Sequence, residues 1–169
     1  YLAQFLSDAR VIDYPRWLWL PILYGAILRV RPRASARAYA KIWTPQGSPL
    51  LVHSQALAAK IAAAETGVRV ELAMRYGEPT IEAALRRLIE DDVQRLLLVP
   101  LYPQYSATST ASALDGVFAA LQRERRVPEL RSINDYHAEP EYISALAESV
   151  EKYWLTHGRG ERLLLSFHG

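Results

Sequence analysis

Apolar and polar positions along this chain fall into blocks whose period changes, and the blocks predict its elements. Tyr1 to Leu6 reads as the end of a helix, and Asp13 and Pro15 open a second helical stretch over Trp17 to Leu28. A basic segment follows, with Arg29, Arg31, Arg33, Arg37 and Lys41; Pro32 is expected to break it, and Ser35 to cap a short helix. Thr44 to Pro49 is a loop by composition. Ser48 with Pro49 behind it then starts a helix running to about Glu65, which Gly67 stops.

From residue 68 a regular alternation sets in. Val68–Arg75, Leu96–Leu101, Leu130–Ile133 and Leu163–Phe167 read as strands. Pro79–Glu90, Ala111–Arg123 and Glu139–Thr156 read as helices between them. Leu96–Leu101 is apolar throughout, the pattern of a parallel strand buried on both faces. Strands alternating with helices predict an α/β fold, with Rossmann-like parallel sheets flanked by helices on both faces. Pro128 is a candidate junction, dividing the chain into 1–127 and 128–169.

Composition narrows the class. Half of the 169 residues are hydrophobic and 22% are charged, which is globular and not disordered. A net charge of +2 gives no case for nucleic acid. With no cysteine, disulfides, thiolate-held zinc and an iron–sulfur cluster are excluded within this stretch. The apolar run at Trp17–Leu28 is about 12 residues, short of the roughly 20 a membrane span needs. Polar and charged residues precede it and no small-residue cleavage site follows, so it does not read as a signal peptide. Tyr1 in place of Met, and a strand running straight into Gly169, read as a chain cut at both ends.

In open α/β sheets ligands bind beyond the carboxyl ends of the strands. The segments expected there are Arg75-Tyr76-Gly77, Leu101 to Thr110, Asn134 to His137, and Ser166-Phe167-His168-Gly169. They are rich in tyrosine, hydroxyls and histidine and contain no glycine-rich phosphate cradle, which disfavours a nucleotide cofactor. Ser106 to Thr110 fits either an anion held at a helix start or an ordinary N-cap. His168, just past an apolar strand, fits a metal ligand, a proton acceptor or a structural histidine. His53 and His157 read as helix residues without a site role, with His137 intermediate.

The front end also leaves two readings. Trp17, Trp19, Leu20, Ile22, Leu23, Tyr24 and Ile27 exceed what one helix face needs. They fit either core packing or an exposed apolar lip facing a membrane surface or a flat hydrophobic ligand. The neighbouring arginines would suit carboxylates on such a ligand or anionic lipid, or simply a solvated helix face.

Several stretches together resemble the protoporphyrin-type ferrochelatases of bacteria. They are Phe5-Leu6-Ser7-Asp8, Pro15 to Pro21, Tyr39 to Trp43 with Gly47 to Leu50, Met74 to Gly77, Leu101 to Ser106, and Ser166 to Gly169. The resemblance implies a chelatase-like fold of two similar α/β halves around a porphyrin cleft. Residues 1–127 would be the first half without its first strand, and 128–169 the beginning of a truncated second half. It implies a lyase that inserts Fe2+ into protoporphyrin IX in the last step of haem biosynthesis, with iron as substrate and no tightly bound cofactor.

By the same resemblance His168 is the catalytic residue, as iron ligand and acceptor of pyrrole protons. Tyr102, Arg75, Tyr76, Tyr39, Ser48 and Arg31 bind porphyrin, Arg31 by meeting propionates, and Trp17, Trp19, Leu20 and Leu23 belong to the lip. A cytoplasmic protein is expected, with peripheral contact to the inner membrane left open, no nucleic-acid partner and no expectation of oligomeric state. Three departures stand out. The family's amino-terminal Gly-Thr-Pro turn has no counterpart here, nor does its active-site glutamate, and a loop cysteine of some relatives is Ala107. The 169-residue piece alone is therefore expected to be inactive. A coproporphyrin or other tetrapyrrole chelatase, and a non-catalytic porphyrin- or haem-binding module, are the alternatives.

Overall fold

Ile81, Leu85 and Leu88 recur at helical spacing, and this stripe builds the centre of the molecule. The computed structural model describes residues 1–166. In chain order the elements are α1 (Leu2–Ser7), α2 (Arg16–Ile22), a π-helical turn (Leu23–Ile27), α3 (Leu28–Ala40), α4 (Pro49–Ala64) and α5 (Ile81–Glu90). Then follow β1 (Arg95–Leu98), a second π-helical turn (Ala107–Ala111), α6 (Ser112–Leu121), β2 (Glu129–Ser132) and α7 (Pro140–His157).

β1 and β2 pair in parallel, with Arg95 opposite Glu129 and Leu98 opposite Ser132. Alternation along the strands puts Leu96, Leu98 and Leu130 on one face. There they pack against a core of Ile81, Leu85, Val117, Ala120 and Leu121 from α5 and α6. Each such fully buried aliphatic side chain contributes about 2 kcal/mol relative to exposure. Thr80 caps α5, its hydroxyl accepting from the Ala83 N–H at 3.1 Å.

Several expectations need correcting. Helices cover only one face of this sheet among the described residues: Leu97, on the other face, is 58% exposed, so β1 is not buried on both sides. Val68–Arg75 forms no ladder; its one pairing is the Met74–Thr80 bridge, where the Met74 N–H donates to the Pro79 carbonyl at 2.7 Å. Alternation gave it strand character, but no neighbouring strand among the described residues takes up its backbone groups. Leu163–Ser166 likewise forms no strand, and Leu164 is nearly fully exposed. Phe167, and with it the rest of that expected strand, lies outside the described residues.

Pro32 does not break the basic segment, and Ser35 lies inside α3 instead of capping a new helix. Pro32 would clash with the carbonyl four residues back, that of Leu28. Leu28 is where the π-helical turn passes into α3, with ψ −9°, so the backbone there is already off regular helical register. Ser48 takes the N-cap position of α4 with Pro49 behind it, but its hydroxyl makes no capping bond. Pro128 stands between two strands of the same ladder.

Candidate functional site

A carboxylate just past α1 gathers four partner residues among the described residues. Asp8 ends α1, and its Oδ2 accepts three hydrogen bonds: from Arg75 Nη2 at 2.7 Å, Tyr76 Oη at 2.7 Å and Ser112 Oγ at 2.5 Å. Its Oδ1 accepts the Arg10 N–H at 2.8 Å. Arg75 Nε in turn donates to Ser112 Oγ at 2.8 Å, and the guanidinium lies 4.7 Å from the Tyr76 ring centre. The Asp8 side chain is 7% exposed, and Ser112 is fully buried.

Electrostatics follow from that wiring. Burial alone would raise the Asp8 carboxyl, but the hydrogen bonds from Ser112, Tyr76 and the Arg10 amide, with the Arg75 charge, hold it below the usual carboxylate range. Burial, reinforced by the Asp8 charge, pushes the Tyr76 phenol up to about 12 despite the opposing pull of Ser112 and Arg75.

Local sequence makes room for this hub. Gly77 has φ +83°, which lets the chain turn directly after Arg75-Tyr76, and its N–H donates to Gln4 Oε1 at 2.9 Å. On α6, a Cβ at Gly116 would lie 2.9 Å from Ile81 Cδ1 and 3.4 Å from Arg75 Cδ and Cζ. Glycine there lets α6 close on both the core and the arginine. One turn from Ser112, Asp115 accepts from Arg10 Nε at 2.7 Å and Nη2 at 3.2 Å, a bidentate tie between the same loop and helix.

Beside the hub lies an aromatic wall. The Tyr76 ring meets Phe5 edge-on at 5.4 Å and Tyr1 at 6.1 Å. Tyr1 stacks on Phe5 at 5.9 Å and meets Tyr39 edge-on at 6.3 Å. Tyr102 is close enough that burial raises its phenol while the Arg75 charge lowers it, and it also acts on Tyr1. Tyr39 and Tyr102 keep 45% and 39% of their surface exposed, so the cluster is open to solvent on that side. The loops after β1 and β2 are joined by the Tyr136 N–H donating to the Pro103 carbonyl at 2.9 Å.

Of the residues expected in the site, Tyr39, Arg75, Tyr76 and Tyr102 come together here. Ser48 and Arg31 do not contact the hub: Ser48 is half-buried at the start of α4, and Arg31 is exposed on α3. Arg29, Arg31, Arg33 and Arg37 form no ion pair among the described residues. The expected lip divides. Trp17 is 76% exposed and is joined by exposed Leu18, Ile22 and Tyr24. Trp19 and Leu20 are half-buried, Trp19 donating from Nε1 to the Leu6 carbonyl at 2.7 Å. Leu23 is fully buried and serves packing, because the helical repeat turns it toward α1 and away from Trp17. No helix among the described residues is long and apolar enough to cross a membrane.

His168 lies outside the described residues. Among those described, no three His, Cys, Asp or Glu side chains cluster to hold a metal. Ser106 takes the N-cap position of the second π-helical turn, but its hydroxyl caps no backbone N–H: Ser106 Oγ bonds to Thr108 Oγ1 at 2.9 Å and accepts from Ser109 Oγ at 3.1 Å. His53 is exposed on α4, His157 stacks on Tyr153 at 4.2 Å, and His137 faces Asp135 at 3.5 Å. Two clefts of about 500 and 480 Å³ lie elsewhere, at the end of α7 and beside β1 near Gly67.

Sequence reasoning gave no role to Asp8, Ser112, Gly116, Tyr1 or Phe5. No linear signal joins Asp8 to Ser112, 104 residues apart; only the short Phe5-Leu6-Ser7-Asp8 stretch marked the neighbourhood.

The described residues thus form a parallel α/β unit in which a partly exposed cluster of aromatic rings sits on a buried, charge-balanced polar hub. The ferrochelatase family model matches residues 1–169, and the chain belongs to that family of metal-chelating enzymes. It is 52% identical to the ferrochelatase of Methylibium petroleiphilum over all of its own length and 48% of the relative's. It is likewise 52% identical to that of Azoarcus sp., covering 47% of it, and 51% identical to that of Sodalis glossinidius, covering 50%. The chain thus spans about half the length of the curated relatives it matches.

Proposed function

We propose that the full-length protein is a protoporphyrin ferrochelatase, a lyase that inserts Fe2+ into protoporphyrin IX to give protohaem and two protons in the last step of haem biosynthesis. The observation that carries this reading is the meeting of Tyr39 and Tyr76 on the Tyr1 ring, with Tyr76 and Tyr102 beside Arg75, all contributed by separate segments of a ferrochelatase-family chain. Open phenol rings suit the face of a planar macrocycle, and a buried hub keeps them rigid.

Iron enters as substrate and no nucleotide is consumed, because four pyrrole nitrogens hold the ion far better than a single imidazole does. The protein must bind Fe2+ loosely and hand it on. His168 serves as iron ligand and as acceptor of the pyrrole protons; a neutral imidazole can do both in turn. Aromatic contacts along the ring offset the strain of bending it so that its nitrogen lone pairs face the metal. Arg31 meets propionates and Ser48 borders the same cleft. Trp17 and its exposed neighbours form the lip, the point of any peripheral contact with the inner membrane.

The test is His168→Ala in the full-length protein, assayed by anaerobic ferrous insertion and by porphyrin fluorescence. Insertion is expected to fall by about 100-fold or more, with porphyrin still bound. Unchanged insertion contradicts the role of His168. A wild-type protein that binds porphyrin but inserts no metal makes it a binding module, and a strong preference for coproporphyrin moves the substrate.

A further inference from the structure

We propose that Asp8 is a positioning residue that holds Arg75 and Tyr76 in the wall and neutralises the Arg75 charge, so that Arg75 does not bind a substrate carboxylate. The inference rests on the porphyrin reading for its substrate and on this chain's hydrogen bonds for its logic.

A carboxylate offers about four acceptor sites. Asp8 uses four inside the protein: Arg75 Nη2, Tyr76 Oη, Ser112 Oγ and the Arg10 N–H. Arg75 is committed on two sides, through Nη2 to Asp8 and Nε to Ser112, and its plane is held against the Tyr76 ring. Gly116 lets α6 approach the guanidinium, and the Arg10–Asp115 tie pins the Asp8 loop to the same helix. An arginine built to catch propionates would point free donors at solvent with no carboxylate of its own. The α3 arginines, exposed and without ion pairs among the described residues, have that character.

The last residues of α1, directly before Asp8, also carry the lip. The Ser7 carbonyl accepts from Arg16 Nη1 at 2.9 Å, and the Leu6 carbonyl accepts from Trp19 Nε1 at 2.7 Å. Asp8 ties the Arg75-Tyr76 turn to α6, directly beyond the end of α1 that holds α2. Its loss should loosen the wall more than it affects chemistry at the ring centre.

The full-length protein tests this with protoporphyrin IX and its uncharged dimethyl ester. Asp8→Asn is expected to raise the KM for protoporphyrin about tenfold and leave kcat for zinc insertion within about twofold. It should also increase the preference for the diacid over the ester at least about threefold, because Arg75 is then unneutralised. Arg75→Met should weaken both ligands equally and leave that preference unchanged, whereas Arg31→Met should weaken the diacid selectively. Selective loss of the diacid in Arg75→Met, or a fall in kcat without change in KM in Asp8→Asn, overturns the proposal. If the wild type binds neither ligand, the porphyrin reading fails but the clamp is still measured. Asp8→Asn and Arg75→Met should each lower the Tm, with the double variant falling less than their sum; additive losses overturn the clamp.

Discussion

α5 and α7 are both amphipathic helices following a stretch that sequence reads as a strand, yet only one of them is buried. α5 sets Ile81, Ala84, Leu85 and Leu88 into the core beneath β1, β2 and α6. α7 has no buried residue, and Ile143, Leu146 and Tyr153 of its apolar face are all exposed. α5 is the more sharply amphipathic of the two, and it also has strands and a helix lying opposite its apolar face. Periodicity selects a face, and burial comes only where a second surface meets it.

The largest expected break in this comparison is a cavity. In the 169-residue chain, Leu85→Ala should cost about 3 kcal/mol in denaturant unfolding, and Leu146→Ala should stay within about 0.5 kcal/mol. Equal costs would mean that the two faces are equally covered.

Helix starts sharpen the contrast at smaller scale. Thr80→Ala removes a capping bond to Ala83 and should cost about 1 kcal/mol, while Ser48→Ala, whose hydroxyl caps nothing, should cost little. Both positions carry a favoured capping residue, so only the geometry separates them.

The hub adds a dependence on acidity. Asp8 is held below its ordinary value of 3.8, so the native state binds its proton more weakly than the unfolded chain. Its stabilisation is fully present well above that value and is lost as pH falls from there through the lower native value. Between neutral pH and about pH 5 the contribution should be flat, and acid unfolding below pH 4 should be shallower in Asp8→Asn than in the wild type. A midpoint unaffected by the substitution would show that Asp8 is not held ionised by its neighbours.

Much of this was legible in the sequence. The alternation from residue 79 onward fixed the type of α5, β1, α6, β2 and α7, and the tyrosines at expected strand ends marked the wall. Three kinds of feature were not. Val68–Arg75 alternates like a strand, but a ladder needs a neighbour, which no alternation supplies. Pro32 reads as a breaker, and its tolerance depends on the π-helical turn ahead of it. Asp8 and Ser112 lie at opposite ends of the pattern, and only folding brings them to 2.5 Å. Leu23 sits among lip residues in sequence and is buried because the helical repeat turns it away from Trp17. His168, the proposed iron ligand, was singled out from sequence and lies outside the described residues.

The central claim, that the tyrosine cluster beside Arg75 is a porphyrin wall, is tested most directly by fluorescence titration of protoporphyrin IX into full-length Tyr102→Ala. Tyr102 is partly exposed and takes no part in the Asp8 hydrogen bonds, so its removal should spare the fold. Losing one ring face should weaken porphyrin binding about tenfold with the Tm nearly unchanged. Wild-type affinity in that variant would contradict the account.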